Sequence, residues 1–377
     1  MGIKAKPTFS LKDQLFNASS VGILAARLKL AHPSFRQRVF VRQVLAEFPK
    51  LELKQRIHCM VNVLESHLPK DFVAARAVLE QALPEPLDPN KTDNDFGKFI
   101  WVVPGEYVAK HGCSRQHLKP SLNFLRQATR RFSSEWAIRP FLQQFPDQTL
   151  AFIHQCAVDD HYHVRRLASE GIRPFLPWGQ RVLLPTEAII EVLDQLHGDN
   201  ARFVTRSVAN TLNDISKIDA ASVVKTLRRW RKKDIQSTGE LDWMTRHALR
   251  TLLKASHPPA LKLLNYTATP NYTVSQQKSS KRLQVGRDFV FSCLLESHAE
   301  QKLKIGLRIH FLKANGCHKA KVFSLHDIQA SEGQMLTLNK RLSFKPMSTR
   351  TLYPGVHYAE LMVNGIASEN HTFILRA

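Results

Sequence analysis

Acid is scarce in this sequence: 32 Asp+Glu stand against 54 Lys+Arg, a net charge of +22 over 377 residues. An excess of this size disfavours cationic partners and favours polyanions, meaning nucleic acid or an anionic membrane surface. Cysteine is also scarce. The five, Cys59, Cys113, Cys156, Cys293 and Cys317, are scattered and never form C-x-x-C, which argues against a disulfide framework or a zinc ribbon. No apolar run approaches the ~18 residues of a membrane helix. The start Met1-Gly-Ile-Lys-Ala-Lys-Pro7 has neither a hydrophobic signal core nor the Ser or Thr that a myristoylation signal places after Gly2. No phosphate-cradling glycine loop and no G-x-S-x-G elbow occurs. Chemistry without cofactor or metal, in a reducing cytoplasm, is what these absences leave open. Nor is the chain a disordered polycation, because apolar residues make up 43% and charged residues only 23%, ample for a core and for two or more domains.

Up to about residue 265 apolar residues recur at helical spacing, as in Val41 to Phe48, Ile57 to Leu68, Phe72 to Leu83, Ala188 to Leu196 and Ala221 to Trp230. Within this region the text repeats itself. His163-Val-Arg-Arg-Leu-Ala-Ser-Glu170, Phe203-Val-Thr-Arg-Ser-Val-Ala-Asn210 and Trp243-Met-Thr-Arg-His-Ala-Leu-Arg250 lie 40 residues apart, with Arg166, Arg206 and Arg246 in register. That period predicts a mainly α fold, a HEAT-like helical-repeat solenoid over residues 1–265. A Thr-, Ser- and Gln-rich stretch follows over 266–281 and reads as a linker. Residues 282–377 alternate in short segments between turn signals such as Asn364-Gly365, the rhythm of a small all-β immunoglobulin-like sandwich. From Tyr266 onward there are 15 Lys+Arg and 7 Asp+Glu, so both parts are basic.

Three carboxylates are placed to carry chemistry. Glu135 and Glu170 share a local text, Ser134-Glu-Trp-Ala-Ile-Arg-Pro-Phe141 and Ser169-Glu-Gly-Ile-Arg-Pro-Phe175, each read as a helix end followed by proline. Asp214 falls one turn beyond Asn210, the period-matched partner of Glu170. Stacked repeats would bring these three acids to one strip of an otherwise arginine-rich face. Each could instead simply pair with an arginine or cap a helix. Trp178, held between Pro177 and Gly179, fits stacking on a cationic base, and fits packing between repeats equally well. Arg165, Arg166, Arg202, Arg206 and Arg246, near the starts of inner helices, are candidates for phosphate. So is Lys217. The run Arg228-Arg-Trp-Arg-Lys-Lys233 reads as a solvated helix end. His154 to His163 crowds His, Cys and Asp too tightly for a metal site. In the sandwich, Lys302, Lys304, Arg308, Lys319, Lys321, Lys340 and Arg341 are candidates for phosphate contact.

Taken together, His163-Val-Arg-Arg-Leu-Ala-Ser-Glu-Gly-Ile-Arg-Pro-Phe-Leu-Pro-Trp178, Ser134 to Phe141 and Val208-Ala-Asn-Thr-Leu-Asn-Asp-Ile-Ser-Lys217 resemble the AlkC branch of the AlkC/AlkD alkylpurine DNA glycosylases. The resemblance covers most of the first 265 residues, and the sandwich resembles the immunoglobulin-like extension of a subset of that branch. It implies a cytoplasmic, nucleoid-associated bacterial repair enzyme with double-stranded DNA as partner and no obligate protein partner. The implied reaction is removal of cationic N-methylated bases, chiefly 3-methyladenine with 3-methylcytosine second, without deep base flipping. By resemblance Glu135, Glu170, Asp214 and Trp178 match active-site positions, and Arg165 and Arg166 DNA-facing ones. Trp136 stands where the family more often shows phenylalanine and is a second candidate for stacking. The competing expectation is a non-catalytic repeat scaffold that binds nucleic acid or protein.

Overall fold

A computed structural model describes residues 10–346 and 351–377; the amino-terminal stretch Met1 to Pro7 lies outside the described residues. The chain divides into two compact units, one formed by the residues up to Asp219 with Trp230–His247, the other by Ala220–Arg229 with Ala248–Ala377. This division falls upstream of the expected boundary at residue 265. At the end of the helical stretch Lys302 Nζ donates to the Leu264 carbonyl at 2.8 Å and sits 4.4 Å from the Tyr266 ring, whose hydroxyl donates to Asp327 at 2.6 Å. Those bonds fasten the end of the helical text to the strands.

The first unit is helical, as the spacing of apolar residues predicts. Gln37–Glu47, Leu53–Leu64, Phe72–Ala82 and Thr186–Leu196 are helices whose inward residues, among them Phe40, Val44, Met60, Leu79 and Leu193, are fully covered. The 40-residue period has a mechanical basis. Asp159 accepts from the His161 backbone N–H and Asp199 from the Ala201 backbone N–H, each at 2.8 Å, so each opens the helix that follows, Tyr162–Glu170 and Arg202–Ile215. Each also holds arginine from the preceding repeat, Arg126 and Arg130 on Asp159 and Arg165 on Asp199. Arg202 on Glu240 extends the series into Thr238–Lys254. Helix Tyr162–Glu170 packs between Pro146–Ala157 and Arg202–Ile215.

In the second unit the described residues form nine strands: β1 (Tyr272–Ser279), β2 (Arg282–Gln284), β3 (Asp288–Ser297), β4 (Gln301–Leu312), β5 (His318–Ala330), β6 (Met335–Ser343), β7 (Gly355–Val363), β8 (Ile366–Ala367) and β9 (His371–Arg376). One sheet runs β1-β3-β6 and the other β2-β9-β7-β4-β5, with β8 beside β7. Alternate residues of β3 and β4, including Phe289, Phe291, Leu295, Leu303, Leu307 and Ile309, meet in one core. The stretch read as a linker therefore contains β1. Its Tyr272 and Val274 pack on that core while the intervening polar residues face outward, and the polar face masks the alternation. Thr351 to Tyr353 is irregular. Asn364 and Gly365 have φ of 47° and 90° and close the β7–β8 hairpin, as the Asn-Gly pair predicts.

Candidate active site

The first unit holds a cavity of about 310 Å³ lined by Phe96, Phe99, Phe132, Trp136 and Phe203 together with Glu135, His163, Arg166, Glu170 and Arg206. Aromatic walls around two carboxylates suit a flat, cationic ring. Glu170 ends helix Tyr162–Glu170, as the proline at 174 leads one to expect. Glu135 does not end a helix. It lies in the turn before Arg139–Gln144, whose Pro140 occupies the first turn, where its missing N–H costs nothing.

The acids differ in how they are held. Glu135 accepts from Ser133 Oγ at 2.9 Å and from Arg166 Nη1 at 2.7 Å, both on Oε2, leaving Oε1 without a partner among the described residues. Its side chain is 20% exposed. Glu170 is buried, and both its oxygens are taken: Oε1 accepts from Arg173 at 2.6 Å and Oε2 from Ser207 at 2.6 Å, with Arg166 at 3.5 Å. Burial alone would raise its pKa, but Arg166, Arg173 and the Ser207 hydroxyl outweigh it and hold the carboxyl below the ordinary range.

Asp214, expected as a third active-site acid, does not join Glu135 and Glu170 in the cavity lining. It is 1% exposed and is saturated by Arg173 Nε at 3.0 Å, Lys217 Nζ at 2.9 Å and the Phe175 backbone N–H at 3.3 Å. The one-turn offset from Asn210 turns its carboxylate onto Arg173, so its placement is that of a support for Arg173 and Glu170. Lys217, spent on Asp214 and 5.0 Å from the Phe175 ring, belongs to the same support rather than to a free phosphate site.

The arginines separate likewise. Arg165, bound to Asp199 and to the carbonyls of Asp159 and Asp160 at 2.9 Å, is a pin between repeats, as is Arg202 on Glu240. Both are committed to the fold rather than to phosphate. Arg166 stands between Glu135 and Glu170 with its guanidinium 4.4 Å from the Phe203 ring centroid, and Arg206 lines the cavity paired with Asp93. Arg246 is exposed in mid-helix, not at a helix start. Trp178 is 59% exposed at a φ of 59°, a strained conformation for a bulky residue. Lys54 Nζ, donating to its carbonyl at 2.7 Å, and the Trp136 indole N–H, donating to the Pro177 carbonyl at 3.3 Å, tie that turn down. The indole is outside the cavity but rests on Trp136, which is part of it, with centroids 6.2 Å apart. Among the described residues no group of three or more His, Cys, Asp or Glu is placed to hold a metal ion; Asp159, from the crowded segment, is occupied by arginines.

Sequence reasoning passed over Arg173, His163, Phe96 and Phe203. Arg173 could have been found from the repeated Arg-Pro: both Arg139 and Arg173 are buried, and Arg139 donates to the Gly171 carbonyl at 2.8 Å. His163 is 2% exposed, and burial, with His161 and Arg166 nearby, pushes its pKa down to about 4. The folded protein thus resists the proton that an unfolded histidine binds near pH 6.5. Stability should therefore fall as the pH drops from about 6.5 to about 4, by on the order of 3 kcal/mol in all. Denaturant midpoints measured across this range should show the loss, and His163→Phe should remove that part of it.

Comparison with known proteins places the whole chain. A family described as "Uncharacterised protein YhaZ, C-terminal Ig-like domain" matches residues 273–377, in agreement with the sandwich. The Bacillus subtilis (strain 168) protein YhaZ, itself uncharacterized, is 30% identical over 365 residues, covering 96% of this chain and 98% of its own. The solved structure of Pseudomonas fluorescens alkylpurine DNA glycosylase AlkC, bound to DNA containing an abasic site analogue, superposes with a TM-score of 0.84 at 31% identity, over 98% of this chain and 100% of that one. Among the described residues no helix is long and apolar enough to cross a membrane.

Proposed function

This chain belongs to the AlkC family of alkylpurine DNA glycosylases, and we propose that it hydrolyses the N-glycosidic bond of cationic N-methylated bases, 3-methyladenine foremost and 3-methylcytosine second, in duplex DNA. The observation that carries this reading is Glu135: a carboxylate in an aromatic-lined cavity, with Oε1 left unpartnered among the described residues. A methylated base bearing a positive charge is already a good leaving group and needs no general acid. What needs help is the oxocarbenium-like charge that develops on the deoxyribose as the bond breaks, and a fixed carboxylate supplies it in place. Neutral bases leave poorly, so the lesion's own lability provides most of the selectivity, and a deep pocket that encloses a fully flipped base is not required. Glu170, held by Arg173 and Ser207, keeps Arg166 oriented on Glu135 and adds to the negative field. Trp136 and Trp178 offer faces for stacking.

The helical residues, read as 1–265, carry this chemistry, and the sandwich over 282–377 adds duplex affinity. Of its seven candidate cations, Lys302, Lys304, Arg308, Lys340 and Arg341 each have a partner, whereas Lys319 and Lys321 are exposed on β5, Lys321 5.2 Å from the Phe323 ring. Changing Lys319 and Lys321 to Gln should lessen the slope of log affinity against log salt by about 1 to 2 on any duplex.

The deciding assay incubates purified protein with a methylated duplex and measures free base. Release of 3-methyladenine is expected. Intact duplex binding with no base released would leave the non-catalytic scaffold as the function.

A further inference from the structure

Among the described residues only two aromatic side chains are exposed, Phe96 at 47% and Trp178 at 59%. Trp178 belongs to the cluster already assigned. Phe96 lines the cavity without a role assigned so far, and a phenyl ring left in water forgoes the burial that its area would otherwise bring. It is carried on residues 83–98, an irregular strap, between Asn94 and Gly97 with φ of 63° and 71°. The strap is fastened, not loose. The Leu87 N–H donates to the Arg130 carbonyl at 2.8 Å, the Phe203 N–H donates to the Thr92 carbonyl at 3.0 Å, and Asp93 pairs with Arg206. At Gly97 a Cβ would lie 2.0 Å from the Arg131 carbonyl oxygen, so glycine is what lets the strap press down there. The fastenings on either side hold one ring outward, packed 5.3 Å from Phe203, on the wall of the cavity that contains Glu135 and Glu170.

We propose that Phe96 enters the base stack of the bound duplex beside the lesion, as the wedge that opens the step and brings the deoxyribose within reach of Glu135. This deepens, and rests on, the glycosylase reading above. An apolar ring inserted at a base step unstacks it and bends the duplex, exposing the sugar edge without removing the base from the helix. Every base has a π face, so such a contact tolerates any flanking sequence, as repair requires.

The test uses full-length protein and a duplex carrying a tetrahydrofuran abasic analogue with 2-aminopurine as its neighbour. Binding of the unchanged protein should raise 2-aminopurine fluorescence several-fold. Phe96→Ala should remove most of that rise and weaken binding to this duplex by roughly 10-fold or more, with little change on undamaged duplex; Phe96→Trp should restore both. Phe96→Gln, which keeps the side chain's reach without an apolar face, should behave as Phe96→Ala and guards against a folding defect in either, read from their melting curves. A full fluorescence rise in both variants, or an equal loss on undamaged duplex, would overturn the wedge. Because nothing is cleaved in this duplex, the result is independent of base release. A protein that releases base while Phe96→Ala retains the full rise loses only the wedge, whereas one that releases no base loses the glycosylase reading.

Discussion

Changing Glu135 to Gln should lower release of 3-methyladenine roughly a thousandfold while leaving duplex affinity within a few-fold of the original. A unit charge ~4 Å from the developing sugar cation at an effective dielectric of ~20 contributes on the order of 4 kcal/mol, and ~1.4 kcal/mol is a decade in rate. The change should fall on the single-turnover rate constant, because the attraction exists only once charge has developed on the sugar. Glu135 is also the acid whose loss tests chemistry most cleanly. It is partly exposed, and when it becomes an amide its partner Arg166 keeps Glu170 at 3.5 Å as a counter-charge. Glu170→Gln cannot separate the two effects, since Glu170 is buried against Arg173 and Arg166. A Glu135→Gln protein with unimpaired release would remove this residue from the mechanism.

The largest loss of stability should come from Arg173→Ala. That guanidinium bridges Glu170 at 2.6 Å and Asp214 at 3.0 Å, all three side chains being less than a tenth exposed. Removing it leaves two buried carboxylates short of a counter-charge. Breaking a buried pair from one side typically costs about 3–5 kcal/mol, a drop in melting temperature on the order of 10 °C for a unit of this size. The pH dependence has a definite sign. Glu170 is held below its ordinary pKa, so its contribution is fully present above the unfolded value and is lost as the pH falls through the folded one. Without Arg173 the folded pKa of Glu170 moves back up toward the unfolded value, so that acid-induced loss should shrink. Thermal melts of both proteins from about pH 2 to about pH 7 would show it, and identical curves would mean that the network carries no net stability.

Much of this was legible in the text. Arg166, Arg206 and Arg246 in register implied the repeat, and Glu135 and Glu170 stood out because their surroundings repeat with them. Asp214 misled because a repeat fixes which residues are equivalent, not which way a side chain one turn further on will point. In the fold that turn aims it at Arg173. Arg165 and Arg166 are adjacent in sequence, yet about 100° apart around a helix, so one became a pin on Asp199 and the other a partner of Glu135. Phe96 carried no signal at all, lying in an irregular segment 39 residues before Glu135 that only the folded chain brings to the cavity wall.

Composition and periodicity by themselves determined a basic, mainly helical repeat followed by a β-sandwich, because both are local: charge is a sum, and burying one face of each element imposes a period on the chain. Which of the acids keeps an open oxygen was decided only by tertiary structure. Ionic partners are chosen by distance across repeats, and a buried carboxylate takes whichever guanidinium the packing delivers.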